Sequence, residues 1–111
     1  MTELKIRQKC EDMIAYRYIA LQQFPKTEKH TMAAEIKHSM FHLLELVIVC
    51  DKKYYKKTTM QELDVELDVL RAYIRISMTL KFLPFKKYEV WSGYLSEIGK
   101  MIGGWMRSIK D

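Results

Sequence analysis

The chain has 111 residues, of which 49% are apolar and 30% charged, a content that fits one compact domain and excludes a disordered tail or a membrane span. It contains four glycines, two prolines and no asparagine, and every glycine lies after residue 92. A β-protein of this length needs many tight turns, and Rossmann and P-loop sites need glycines clustered after a strand. The composition therefore predicts a single all-helical domain over residues 1–111.

Lysine and arginine outnumber aspartate and glutamate by 19 to 14, which gives a net charge of +5 and a pI near 9.2. This excess of positive charge favours polyanionic partners. The longest apolar run, Leu46–Cys50, is too short to cross a bilayer, and the first residues do not resemble a signal peptide. We therefore expect a cytoplasmic protein with no membrane partner, in which Cys10 and Cys50 are reduced thiols.

The first predicted helix covers residues 3–23 and ends at Phe24-Pro25, because the residue before a proline is disfavoured in the α conformation. The second predicted helix covers residues 28–52, where apolar residues recur at steps of three and four. This stripe consists of Met32, Ile36, Met40, Leu43, Val47 and Cys50. One such stripe is typical of a helix that packs one face against a core.

The third predicted helix covers residues 60–81, since Thr59 and Glu62 have the spacing of a capping box. The fourth covers residues 85–109, after Pro84, and carries the most regular stripe of the chain. Its members are Tyr88, Trp91, Leu95, Ile98, Ile102, Trp105 and Ile109. Four helices of this length with short connections predict an antiparallel up-down-up-down four-helix bundle.

The third and fourth helices carry more apolar and small residues than one bundle core needs. On the third helix, the stripe Leu63, Leu67, Leu70 and Ile74 is accompanied by a second stripe on the opposite side, formed by Val65, Val69, Ala72 and Ile76. On the fourth helix, small residues recur at helical spacing at Ser92, Ser96, Gly99 and Gly103. Tight packing within one molecule would explain the small residues alone, but the two features together favour an oligomer interface.

A row of possible metal ligands lies on the second helix at Glu35, His38, His42 and Glu45. Carboxylate and imidazole groups at this spacing can share a metal in a helical bundle. The row lies more than about 100° from the apolar stripe, however, and no other helix supplies a matching pair. A polar outer face is therefore the favoured interpretation, and we expect no metal and no cofactor. With no nucleophile constellation or phosphate loop either, we expect that the protein is not an enzyme.

Basic residues collect at the two ends of the predicted bundle. One end contains Lys26, Lys86 and Lys87, and the other contains Lys52, Lys53, Lys56 and Lys57. Tyr54 and Tyr55 lie among the second set, a pattern typical of surfaces that stack bases and contact phosphates. The alternative is that these lysines only keep a small bundle soluble.

An arginine pair on the third helix, Arg71 and Arg75, has like charges four residues apart, which is mildly destabilising. Arg71 has Asp68 within reach, whereas Arg75 has no acid three or four residues away. An acid on another helix or an external polyanion would relieve this repulsion, and the sequence favours neither.

Arg17 interrupts the apolar stripe of the first helix, where an internal salt bridge or an extended, partly exposed side chain is the ordinary explanation.

Four short motifs together resemble a known family. They are Phe24-Pro25-Lys26, Leu43-Leu44-Glu45-Leu46, Leu70-Arg71-x-x-Ile74-Arg75 and Ile98-Gly99-x-Met101-Ile102-Gly103-Gly104-Trp105. With these motifs the chain resembles, over nearly its whole length, the accessory variability protein (Avd) of diversity-generating retroelements. That family is similar to a wider group of four-helix proteins encoded in intervening sequences of large-subunit ribosomal RNA.

The resemblance implies a non-catalytic subunit that forms a ring-shaped homopentamer. It implies binding to the reverse transcriptase of the element and to its template RNA or an RNA/cDNA hybrid, in support of mutagenic cDNA synthesis. It also implies that Arg71 and Arg75 belong to a basic binding surface. A structural, self-assembling four-helix protein of the ribosomal-intervening-sequence type, with no retroelement role, remains the alternative.

Overall fold

A computed structural model describes residues 2–109, and in this range the chain forms four α-helices and one short 3-10 helix, with no β-strand. The α-helices are α1 (Thr2–Gln22), α2 (Met32–Lys52), α3 (Lys57–Thr79) and α4 (Phe85–Ser108), and the 3-10 helix is Lys26–Glu28. The prediction of an all-helical fold with four helices is confirmed for these residues. None of these helices has the length and apolar character that crossing a bilayer would require.

The helices pack in a closed cycle, in which α1 contacts α2, α2 contacts α3, α3 contacts α4 and α4 contacts α1. Their predicted stripes supply the core. On α4, Trp91, Leu95, Ile98, Ile102 and Trp105 are all buried, and on α3 the stripe from Leu63 to Ile74 is buried as well. The second stripe of α3 lies outside the core, since Val65 is 61% exposed and Ile76 is 43% exposed.

The predicted start of the second helix at residue 28 is wrong, because a 3-10 turn occupies Lys26–Glu28 and α2 begins at Met32. The extended backbone of Pro25 leads into this turn, where the Glu28 amide donates to the Pro25 carbonyl at 2.8 Å. Thr31 has a non-helical backbone, and its hydroxyl donates to the Glu28 carboxylate at 2.8 Å. This contact ties Thr31 to the preceding turn, so regular helix begins only after it.

The predicted capping box is also wrong, because α3 begins at Lys57 and not at Thr59. Thr59 is 1% exposed and lies inside the first turn, and the helix has no side-chain cap at its start. The amide of Met60 donates instead to the Lys56 carbonyl at 2.8 Å. Burial of Thr59 and Met60 against the core therefore sets the start of α3, in place of the local capping spacing.

The third helix ends at Thr79, two residues before the predicted end at Lys81. Lys81 has a φ of 67°, in the left-handed region. The Lys81 amide donates to the Met78 carbonyl at 3.0 Å, and the Phe82 amide donates to the Ser77 carbonyl at 2.9 Å. This pair of bonds is a Schellman motif, which ends a helix by satisfying its last carbonyls.

Candidate functional site

The arginine pair lines an open cleft of about 180 Å³ between α3 and α4. Its lining residues are Arg71, Arg75, Tyr88, Ser92 and Ser96. The structure thus brings the arginines predicted for binding together with two of the small residues predicted for an oligomer interface. Two guanidinium groups, a phenol and two serine hydroxyls around one hollow are suited to an anionic group, since all of them can donate hydrogen bonds.

Arg71 is held on both sides of this cleft. Its Nη1 lies 3.2 Å from Oδ1 of Asp68 on the same helix, and its Nη2 donates to the Leu95 carbonyl on α4 at 3.3 Å. Gly99 provides the room for this contact, because a Cβ atom at that position would fall 2.5 Å from Nη2 of Arg71. Arg71 therefore joins α3 to α4 as well as contributing charge to the cleft.

Arg75 lies one turn further along α3 and is exposed. Among residues 4–109, whose side chains the structure describes, no acid forms an ion pair with its guanidinium. Its backbone carbonyl accepts a hydrogen bond from the Thr79 hydroxyl at 3.0 Å. Arg75 is thus the more accessible charge of the pair, and its side chain keeps all its donors for a ligand.

The other residues predicted for an oligomer interface lie on α3 and α4 and differ in exposure. Val65 and Ile76 are exposed, whereas Val69, Ala72, Gly99 and Gly103 are half-buried. Val65 also borders an open hollow of about 400 Å³ that His42, Thr58, Gln61, Glu62 and Glu66 line. Of the predicted interface residues, Ser92, Ser96 and Gly99 therefore adjoin the arginine pair, whereas Val65 borders a separate hollow toward α2.

In the basic loop between α2 and α3, Lys56 has a structural role. Its ammonium group donates to the carbonyls of Cys50, Asp51 and Lys53, at 2.7, 2.9 and 2.7 Å. These carbonyls belong to the end of α2, where backbone acceptors have no partner within the helix. The geometry of Lys56 therefore does not support the prediction that it is a ligand-binding cation. The other three lysines of this set, Lys52, Lys53 and Lys57, are exposed.

At the opposite end, Lys26 and Lys86 are exposed and Lys87 is half-buried. The ammonium group of Lys87 donates to the side-chain carbonyl of Gln23, which follows α1. This contact joins the end of α1 to the start of α4. Lys26, three residues after Gln23, therefore lies on an element adjacent to α4, which carries Lys86 and Lys87.

The polar row of α2 contacts a residue that sequence reasoning missed. Nδ1 of His42 donates to Oε1 of Glu66 on α3 at 2.7 Å, and the Ser39 hydroxyl donates to Oε2 of the same carboxylate at 2.6 Å. Glu35, His38 and Glu45 are exposed, as expected for an outer face. In the part of the chain that the structure describes, no group of three or more His, Cys, Asp or Glu side chains is arranged to hold a metal ion.

Two cations lie over Tyr94 between α1 and α4. The Cζ atom of Arg17 lies 5.4 Å from the ring centroid and the Nζ atom of Lys9 lies 4.8 Å from it. Lys9 also pairs with Glu97 at 2.5 Å, and the hydrogen bond that its ammonium group donates to the Glu97 carboxylate raises the pKa of Lys9. Arg17 is half-buried and forms no salt bridge among residues 4–109, so the structure agrees with the second explanation, a partly exposed side chain, and adds a cation–π contact to it.

The comparison with protein families agrees with the geometry of this bundle. The model of the family described as bAvd-like matches residues 4–109. Curated proteins gave no match to this sequence. Since the family match spans all four helices and includes both arginines of the cleft, the chain belongs to the bAvd-like family.

Proposed function

We propose that this protein is a non-catalytic accessory subunit of a diversity-generating retroelement. In this role it binds the reverse transcriptase of the element and its template RNA or RNA/cDNA hybrid in the cytoplasm, and so supports mutagenic cDNA synthesis. Membership of the bAvd-like family supports the retroelement role. The protein contributes binding surfaces and no cofactor, and the chemistry belongs to the polymerase.

The arginine cleft is the observation that carries this proposal. Arg75 is exposed, lines the cleft and has no acidic partner among the side chains of residues 4–109. Arg71 is fixed beside it by Asp68 and by the Leu95 carbonyl. An acidic side chain of the polymerase or a phosphate of the RNA would complete the hydrogen bonds of Arg75 and offset the repulsion between the two arginines.

We also propose that the helices run up-down-up-down and that the molecules assemble into a ring-shaped pentamer. Opposed directions of α1 and α4 are supported by two contacts. Lys9 in α1 pairs with Glu97, whereas Gln23, just after the end of α1, contacts Lys87, near the start of α4. The exposure of Val65 and Ile76 supports self-association through the outer side of α3. A ring would repeat the arginine cleft and add its charges into one surface for a long polyanion.

The test begins with the gene neighbourhood, where a reverse-transcriptase gene and a template repeat should lie beside the gene of this chain. That reverse transcriptase, tagged and immobilised, should retain the wild-type protein at moderate salt. The double variant Arg71→Ala with Arg75→Ala should bind at least about tenfold more weakly, since hydrogen bonds to charged groups contribute about 1.5–3 kcal/mol each.

A double variant that removes the same charge elsewhere, Lys29→Ala with Lys100→Ala, is the matched control and should bind like the wild type. Both of these lysines are exposed. Equal binding by all three proteins would overturn the role of the cleft. Absence of any complex with the polymerase, together with a monomer in sedimentation equilibrium at micromolar concentration, would overturn the proposed function and its ring assembly.

A further inference from the structure

Two aromatic side chains project from the loop between α2 and α3. Tyr54 is 87% exposed and Tyr55 is 74% exposed. Their ring centroids are 4.8 Å apart and their planes are inclined at 83°, so the rings contact each other edge to face. The two tyrosines add almost nothing to the core, and most of both ring surfaces faces solvent.

This loop is short and internally bonded. It spans residues 53–56, between the end of α2 at Lys52 and the start of α3 at Lys57. The ammonium group of Lys56 binds three carbonyls across the loop, those of Cys50, Asp51 and Lys53. The tyrosines are therefore presented on a fixed backbone, and a ligand would pay less ordering entropy than on a flexible loop.

The surroundings of the tyrosines are basic and partly apolar. Residues 52–61 include four lysines and no acid. Lys52, Lys53 and Lys57 are exposed. A neighbouring hollow of about 230 Å³ is lined by Lys57, Met60, Gln61, Met106 and Ile109. Exposed rings beside cations are the combination by which proteins hold single-stranded nucleic acid, since bases stack on the rings and phosphates contact the cations.

We propose that the loop between α2 and α3 is a binding site for single-stranded RNA, in which bases stack on Tyr54 and Tyr55 and phosphates lie near Lys52, Lys53 and Lys57. Base faces are available in a single strand, whereas in a duplex they are covered by neighbouring base pairs. The site rests on the proposed function, because it names the unpaired form of the template as the one that this subunit holds. It lies at the end of α2, apart from the arginine cleft between α3 and α4.

The test measures fluorescence anisotropy of an end-labelled RNA of about 16 nucleotides without self-complementarity, free or annealed to its DNA complement, with the full-length protein. The wild type should bind the single strand more tightly than the hybrid. The double variant Tyr54→Ala with Tyr55→Ala should bind the single strand at least about thirtyfold more weakly, because two stacking contacts are lost and each contributes about 1–3 kcal/mol.

Two matched variants separate stacking from other effects of the substitution. Tyr54→Phe with Tyr55→Phe keeps both rings and should stay within about twofold of the wild type, because stacking does not need the hydroxyl. Tyr16→Ala removes another exposed tyrosine, on α1, and should leave binding unchanged. Far-UV circular dichroism should be equal for the wild type and the variants at Tyr54 and Tyr55, since both loop tyrosines lie outside the helices.

Equal affinity for single strand and hybrid would overturn the proposal, as would unchanged binding by the double alanine variant. Loss in the double phenylalanine variant as large as in the alanine variant would overturn stacking. Retention on the immobilised polymerase distinguishes failure of this site from failure of the proposed function. If the protein binds the polymerase but its RNA affinity does not depend on Tyr54 and Tyr55, only the loop site is wrong. If it binds RNA through the tyrosines but does not bind the polymerase, only the proposed function is wrong.

Discussion

The guanidinium group of Arg71 lies against the backbone of Gly99, so closely that a Cβ atom at Gly99 would fall 2.5 Å from Nη2. This contact lets Arg71 reach the Leu95 carbonyl at 3.3 Å while its other nitrogen stays near Asp68. A glycine in the middle of a helix costs about 1 kcal/mol relative to alanine. Because Gly99 has no side chain, Arg71 can reach the Leu95 carbonyl, and this contact holds the charge of Arg71 in the cleft.

Replacing glycines of α4 should separate the cost of a glycine within a helix from the benefit of its close contact with Arg71. Apart from its chain neighbours and the adjacent backbone of α4, no atom lies within 4 Å of a Cβ built at Gly93, so Gly93→Ala should raise the free energy of unfolding by about 1 kcal/mol. Gly99→Ala gains the same increase in helix propensity but displaces Arg71 and breaks its hydrogen bond to the Leu95 carbonyl, which contributes about 1.5–3 kcal/mol because the guanidinium is charged. Urea unfolding should therefore show stabilisation in Gly93→Ala and a net loss of about 0.5–2 kcal/mol in Gly99→Ala. Equal stabilisation by both would mean that Arg71 is not held against this helix.

The carboxylate of Glu66 should be important for joining α2 to α3. It accepts hydrogen bonds from the Ser39 hydroxyl and from His42, and its side chain is only 16% exposed. Glu66→Ala leaves the buried Ser39 hydroxyl without this acceptor, so the free energy of unfolding should fall by about 1–3 kcal/mol. Glu62→Ala, at an exposed position one turn earlier, should change it by less than about 0.5 kcal/mol in the same urea titration. Similar losses in both variants would contradict the structural role of Glu66.

The end of α3 contains backbone strain that a substitution can relieve. Lys81 has a φ of 67°, a conformation that costs residues other than glycine about 1–2 kcal/mol. Lys81→Gly should therefore raise the free energy of unfolding by about 1 kcal/mol relative to Lys81→Ala, which removes the same charge but keeps a Cβ atom. Thermal unfolding of the two variants checks this. A glycine variant no more stable than the alanine variant would place the end of α3 elsewhere.

The apolar periodicity of the sequence was sufficient to predict the four helices and their core faces. On α4 the stripe from Trp91 to Trp105 is buried as predicted, because an unbroken three-four spacing defines one face regardless of what packs on it. Helix ends were predicted less well, because capping, other hydrogen bonds and burial compete for the same residues at each end. Thr59 looks like a cap in the sequence, yet it is buried inside α3. The second helix begins after residue 28, the predicted start, because the Thr31 hydroxyl donates to Glu28 of the preceding turn.

The contacts of the candidate sites could not be predicted from one helix at a time. Glu66 meets His42 and Arg71 meets Gly99 only because adjacent helices have a particular rotation and axial offset. Sequence spacing gives the faces of a helix, but the relative rotation of two helices is set by how their side chains interdigitate. Lys56 illustrates the same limit within a loop, where its contacts with three carbonyls depend on a backbone path that its sequence does not specify.

Burial of Cys10 on α1 should make the stability of the protein fall at alkaline pH. The thiol is fully buried, and its desolvation, with a smaller contribution from the charge of Glu11, raises the pKa of Cys10 from 9.0 to about 12. Between these values the unfolded chain loses the thiol proton while the folded chain keeps it. The stabilising effect is therefore fully present below pH 9 and is lost as the pH rises toward 12, by about 1.4 kcal/mol per pH unit.

The Cys10→Ala variant isolates this contribution, because tyrosines and lysines that titrate in the same range are common to both proteins. The variant should be less stable than the wild type at pH 7, since truncating a buried side chain leaves a cavity. Its free energy of unfolding should then fall less steeply above pH 9, so that the difference between the two proteins shrinks by about 1 kcal/mol from pH 9 to pH 10, since the thiol of the unfolded chain is already half ionised at pH 9. Urea unfolding at both pH values measures this change. Parallel pH profiles would show that the Cys10 thiol ionises at the same pH in the folded and unfolded chains, and that its burial does not control its proton.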